Sequence, residues 1–133
     1  MCVDRDQVER ILTEHLERDS RVAAAYLFGS FATGTARPDS DVDVGVLYLR
    51  SPGHRLLDQP FSDEAALAER LGRRVEIVVM NGAPPDLVHR ILRANALLFE
   101  RDRSRRIAFE VQARNEYFDL LPILHQYRNR PTP

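Results

Sequence analysis

Gly29-Ser30-Phe31-Ala32-Thr33-Gly34, followed closely by Pro38-Asp39-Ser40-Asp41-Val42-Asp43-Val44, is the stretch on which the reading of this chain turns. Before it, Val22 to Phe28 is apolar throughout and has the length of a buried strand, although its three alanines also suit a helix. Gly29-Ser30 then breaks the run, and only a turn or two of helix fits before Gly34. From Asp41 to Leu49 the residues alternate. Asp41, Asp43 and Gly45 fall on one face, with Val42, Val44 and Val46 on the other.

That alternation carries chemistry. Residues two apart on a strand point the same way, so Asp41 and Asp43 project together from roots about 6.5–7 Å apart. Like charges that close resist ionising together. Magnesium removes the conflict and keeps coordination positions open for substrate phosphates. Two such ions could clamp an in-line displacement at phosphorus. The Gly29-Ser30 turn supplies the complementary part. A strand passing at once into a helix leaves backbone N–H groups unpaired, and these attract anions. Gly29 lets a phosphate approach the backbone, and Ser30 adds a hydroxyl donor. Taken alone, Asp41 and Asp43 read more readily as the solvated side of an edge strand, and Asp39-Ser40 as an ordinary turn. Their order along the chain is what makes them a site.

A third carboxylate is expected on a neighbouring strand. Glu76 interrupts the apolar stretch Val75 to Met80. A charge inside a buried strand is costly unless it is paired or bound to metal. Glu76 thus reads as a third metal ligand or as a base for an attacking hydroxyl. The alternative is a solvated face, or neutralisation by Arg73 or Arg74.

The remaining segments surround this block. Asp4 and Gln7 form a capping-box pattern before Val8, Ile11, Leu12, His15 and Leu16, one apolar helical face with His15 at its edge. Ser51 to Pro60 reads as loop. Ser62 is the expected N-cap of a helix running to Leu71 and ended by Gly72. Pro84 and Pro85 open the next helix, with Leu87, Val88, Ile91 and Leu92 inward. Ala96 to Phe99 reads as a short strand. A last helix starts near Ser104, and Pro122 is expected to kink or end it. Arg101, Arg103, Arg105 and Arg106 read as a solvated helix start. Phe118, Leu121 and Leu124 read more readily as core than as a docking stripe. The order α β (short α) β α β α β α predicts an α+β fold, a small mixed sheet with helices packed on it.

Composition sets the outer bounds. The chain has 133 residues, the size of one domain. Nineteen Lys and Arg against twenty Asp and Glu leave a net charge of −1, which argues against bulk attraction to nucleic acid or anionic membrane. An apolar fraction of 44% fits a folded domain. No apolar run is long enough to span a bilayer, and the charged start lacks a signal-peptide pattern. Cys2 is the lone cysteine, which excludes an internal disulfide. Together these point to the cytoplasm.

Gly29-Ser30 with Ser40-Asp41-Val42-Asp43 resembles the signature of the DNA polymerase β-like nucleotidyltransferase superfamily. The short chain and the run from Gly29 to Asp43 are similar to its minimal nucleotidyltransferases, the MNT proteins. The likeness continues through Val75 to Val78, Asn81 to Pro85 and Leu97 to Asp102, while Ala113 to Asp119 resembles MNT antitoxins paired with HEPN toxins. The resemblance implies a nucleotidyltransferase fold spanning residues 1–133 as one minimal domain. It implies transfer of AMP from ATP to a tyrosine of a partner HEPN ribonuclease, with Mg2+, two ions, as cofactor. Carried over by position, Gly29, Ser30 and Ser40 hold the nucleotide. Asp41, Asp43 and Glu76 hold metal, and these three act with Ser30 in catalysis. Glu76 stands where such proteins more usually carry Asp; it is one methylene longer, which displaces a metal site spaced for Asp. Two alternatives follow from the same residues. One is an antitoxin that binds and occludes without catalysis. The other is a nucleotidyltransferase acting on a small molecule or RNA.

Overall fold

The computed structural model describes residues 4–53 and 55–128. Cys2 lies outside the described residues. The element order is α1 (Arg5–Glu17), β1 (Val22–Phe28), α2 (Ser30–Thr33), β2 (Val42–Tyr48), α3 (Phe61–Leu71), β3 (Val75–Val79), α4 (Pro85–Arg93), β4 (Leu97–Glu100) and α5 (Arg103–Arg128). Short 3-10 turns at Leu56–Asp58 and Met80–Gly82 complete it.

The four strands form one mixed sheet in the order β3-β2-β1-β4. β1 runs antiparallel to both β2 and β4, whereas β2 and β3 are parallel. Helices cover both faces. On one, α1 and α3 bring Val8, Leu12, Leu16, Leu67 and Leu71 against Leu27, Val42, Val44, Val46 and Ile77. On the other, α4 and α5 bring Val88, Ile91 and Ala113 against Ala23, Ala24, Tyr26, Phe28 and Leu47. β1 is central and doubly covered, so all seven of its residues are buried and no alternation shows in its sequence. A register irregularity between Val22 and Ala24 puts Ala23 and Ala24 on the α5 side together.

Local chemistry explains most boundaries. The capping box at Asp4 forms as its pattern predicts: Asp4 Oδ1 accepts from the Gln7 N–H at 2.8 Å, and Gln7 answers. His15 is half-buried and contacts Asp63 Oδ1 at 2.9 Å. Ser62 does not cap α3. The helix starts one residue earlier, at Phe61 after Pro60, because Pro60 brings its own restricted φ and its carbonyl accepts from the Glu64 N–H. Pro122 does not end α5, which runs to Arg128. Pro122 is exposed, so the Phe118 carbonyl that loses its helical partner remains within reach of water.

Two of the clustered arginines, Arg101 and Arg106, are structural rather than merely solvated. Arg101 donates to the carbonyls of Glu17, Asp19 and Val22, tying the end of α1 to the start of α5. Arg106 pairs with Glu100 and Glu110, and the Glu110 carboxylate also accepts from the Tyr26 hydroxyl at 2.7 Å. Phe118 and Ile123, by contrast, are 57% and 62% exposed, so the distal half of α5 is not core.

Candidate functional site

The site sits where β1 ends and β2 begins. Phe28, the last residue of β1, lies opposite Asp43, and Asp43 lies beside Glu76 of β3. Gly29 follows with φ 76° and ψ −156°, a conformation open only to glycine. A Cβ added there would meet Asp43 Oδ2 at 2.3 Å. The turn backbone therefore lies directly against a carboxylate. α2 is a single turn, closed by Gly34 in the left-handed conformation. The Ala32 and Thr33 N–H groups both donate back to the Gly29 carbonyl, each at 3.1 Å. Ser30 and Phe31, at the first turn, are left without helical acceptors.

The carboxylates are not equivalent. Asp43 is half-buried, and burial is the main reason its pKa is pushed up to about 6; the charges of Glu76 and Asp41 add to it, and Glu76 lies within hydrogen-bond reach. Arg90 pulls the other way. Glu76 is exposed, so the expectation of a carboxylate inside a buried strand is corrected: its neighbours Val75 and Ile77 are buried while its own face opens into a cleft. Neither Arg73 nor Arg74 pairs with it among the described ion pairs. Asp41 lies one residue before β2 and is exposed, so the strand does not dictate its direction. Among the described residues no three carboxylate, His or Cys side chains are gathered tightly enough to hold one ion. The structure brings Asp43 and Glu76 together and leaves Asp41 within electrostatic range.

The oxygen-only donor set is chemically suited to a hard divalent cation such as Mg2+, and two adjacent carboxylates carry more negative charge than their surroundings neutralise. The residues present fit the implied metal in that sense. When bound, it would be held by Asp43 and Glu76, with Asp41 adding negative charge nearby, and would neutralise phosphate charge.

Ser40 is placed differently from the other expected nucleotide contacts. Its hydroxyl accepts from the Arg37 N–H at 2.7 Å and closes the turn ahead of β2. Its carbonyl accepts from Arg73 Nη1 at 3.1 Å. The same guanidinium lies over the Phe31 ring, 5.0 Å from its centre. Arg73 thereby joins α2 to the entry of β2, a role the sequence did not reveal. Arg73 Nε is buried without a partner.

A cleft of about 740 Å3 opens at this point, lined by Phe28, Gly29, Thr33, Asp43, Glu76 and, from α4, Arg90 and Arg93. The α4 residues were missed by sequence reasoning. Their only signal was that α4 is strongly amphipathic, leaving Arg90 and Arg93 together on its polar side. Gly45, two residues beyond Asp43, lets α4 approach: a Cβ there would stand 3.0 Å from Ile91 Cγ2 and from Met80 Sδ.

This arrangement of a glycine-serine turn, paired strand carboxylates and a facing cleft is reflected in the comparisons. Residues 10–104 match the profile of the family described as polymerase beta, nucleotidyltransferase. A solved structure given the provisional name of minimal nucleotidyltransferase is 35% identical, covering 68% of this chain and 92% of that one at a TM-score of 0.54. The chain belongs to the polymerase β nucleotidyltransferase family, among its minimal members. Two more distant structures share the fold. A toxin-antitoxin crystal structure with AMP-PNP is 20% identical, covers 90% of this chain and 98% of that one, and has a TM-score of 0.72. The other is a complex of a tri-AMPylated HEPN toxin from Shewanella oneidensis with its MNT antitoxin. It is 17% identical and covers 93% and 98% of the two chains, with a TM-score of 0.68. Comparison with curated proteins gives no significant match.

Proposed function

We propose that this chain is an antitoxin nucleotidyltransferase, a single minimal domain over residues 1–133. It transfers AMP from ATP to a tyrosine of a cognate HEPN ribonuclease and so silences it. The observation that carries the reading is the Asp43–Glu76 pair standing against the Gly29 turn at the floor of an open cleft. Likeness to toxin-antitoxin complexes, one holding AMP-PNP and one an AMPylated HEPN toxin, supports the choice of nucleotide and acceptor. Among the described residues no helix is long and apolar enough to cross a membrane, which accords with a cytoplasmic setting.

In this reading each residue has a role. Gly29 and Ser30 face the phosphates, the first through its open backbone and the second through its hydroxyl. Ser40 acts through the turn that delivers Asp41 and Asp43. Asp41, Asp43 and Glu76 hold Mg2+, two ions, which supply charge neutralisation when bound. The acceptor hydroxyl oxygen bonds to the α-phosphorus while the bond from that phosphorus to the bridging oxygen of the β-phosphate breaks. Pyrophosphate leaves with the bonding pair. The hydroxyl proton passes to the exposed Glu76 carboxylate, whose position at the cleft suits a base.

The test is incubation with α-labelled ATP, Mg2+ and the HEPN protein encoded beside it. Label is expected on a toxin tyrosine, and none with Asp41→Ala/Asp43→Ala. A second reading, occlusion without catalysis, draws on the exposed Phe118 and Ile123 of α5. It predicts that the double variant still protects cells that express the toxin.

A further inference from the structure

We propose that Arg90 and Arg93 form the polyphosphate clamp of this cleft, holding the β- and γ-phosphates that leave as pyrophosphate. The proposal rests on the reading of the site as an ATP site.

The argument begins with an imbalance of charge. The floor of the cleft is acidic, with Asp43 and Glu76 side by side. The phosphate-facing turn brings no cation of its own: α2 is Ser30-Phe31-Ala32-Thr33, and Thr33 is its contribution to the cleft wall. Two of its N–H groups are already spent on the Gly29 carbonyl. One helical turn cannot alone offset the charge of a triphosphate, since the dipole effect of a helix grows from many aligned peptide units.

Arg90 and Arg93 are the cations that line the cleft. They lie three apart on α4 and so share a face. Both are exposed, and among the described residues neither enters an ion pair, although five other arginines do. Their placement is held by packing rather than by polar contacts: Ile91, between them in sequence, is fully buried and fits against β2 in the space that Gly45 leaves. The helix is thus seated firmly while its two guanidiniums remain available. A guanidinium presents a planar fork of donors that matches phosphate oxygens. Of the two substrates, a tyrosine hydroxyl is neutral and the nucleotide is a polyanion. A pair of unpaired arginines therefore suits the nucleotide.

The experiment is calorimetric titration of the full chain with ATP, ADP and AMP in Mg2+. It uses wild type, Arg90→Ala, Arg93→Ala, the double alanine variant and the double lysine variant. Thermal melts of each serve as the folding control and are expected to match wild type. Each alanine is expected to weaken ATP about tenfold or more, the scale of a lost charged hydrogen bond. AMP binding should stay within twofold, and the lysine variant should fall between. Two results overturn the clamp while leaving the ATP site intact. One is a double alanine variant that binds ATP like wild type but transfers no label to the toxin, which gives the arginines to the acceptor. The other is equal weakening of AMP and ATP, which gives them to the nucleoside. Failure of the wild type itself to bind ATP overturns the proposed function and the clamp with it.

Discussion

Gly29 and Asp43 are locked together: the turn backbone approaches the carboxylate so closely that a Cβ on Gly29 would stand 2.3 Å from Asp43 Oδ2. The glycine-serine turn and the acidic strand therefore pack as one unit. Gly29→Ala is expected to strain the backbone, whose φ of 76° and ψ of −156° cost an L-residue roughly 1–3 kcal/mol, and to displace the carboxylate as well. Calorimetry should find ATP binding lost, while a melt shows the fold retained at lower temperature. Unchanged ATP binding would show that the close approach has no functional weight.

Asp43 also makes stability depend on pH. Its carboxyl is pushed from 3.8 up to about 6, chiefly by burial, so between those values the folded chain holds a proton that the unfolded chain has released. Stability therefore falls as pH rises through this window. Asp43→Asn removes the effect. Without divalent metal, the variant should gain on wild type as pH goes from 4 to 7, reaching on the order of 1 kcal/mol after allowance for solvent screening. Melting curves at several pH values check this, and a difference that is flat with pH would contradict it. Mg2+ at pH 7.5 should raise the wild-type melting temperature more than that of the variant.

Gly45 sets the height of α4 over the sheet. Gly45→Val places branched methyls where Ile91 Cγ2 and Met80 Sδ already stand 3.0 Å from the first added carbon. Overpacking of this kind costs about 1–3 kcal/mol. It should also move α4 and weaken ATP binding beyond what the stability loss explains. Urea unfolding and calorimetry on the same sample separate the two effects, and a stable variant with wild-type affinity would refute them.

Pro122 interrupts the hydrogen-bond ladder of α5 on an exposed surface. Pro122→Ala restores an N–H donor and is expected to raise helicity, the melting temperature and stability, the last by up to about 3 kcal/mol. Circular dichroism gives the first and a melt the second. A destabilised variant would mean that the proline serves the local packing of Leu121 and Leu124.

Much of this was legible along the chain. The capping box at Asp4, the strand at Val22 to Phe28, the glycine-serine turn and the alternation from Val42 all depend on neighbours within a few residues, and they appear as read. Glu76 was singled out correctly as a neighbour of Asp43, but for an incomplete reason: it lies beside an open cleft and not within buried strand. Asp41 was assigned to the strand and stands just before it. Arg101 looked solvated because the carbonyls it binds, those of Glu17, Asp19 and Val22, are distant in sequence. Arg106 pairs with the nearby Glu100 and Glu110, and only the Tyr26 hydroxyl that joins Glu110 comes from far along the chain.

Sequence alone determined most of the elements, the two-sided character of β2 and the pairing of an acidic strand with a glycine-serine turn, since periodicity, capping and turn chemistry act over one or two turns of chain. The tertiary structure decided three things: that α4 sits over Gly45, that Arg90 and Arg93 line the cleft with the carboxylates, and that Phe118 and Ile123 of α5 stay exposed. These depend on which faces meet across the sheet, and that is settled by packing between segments dozens of residues apart.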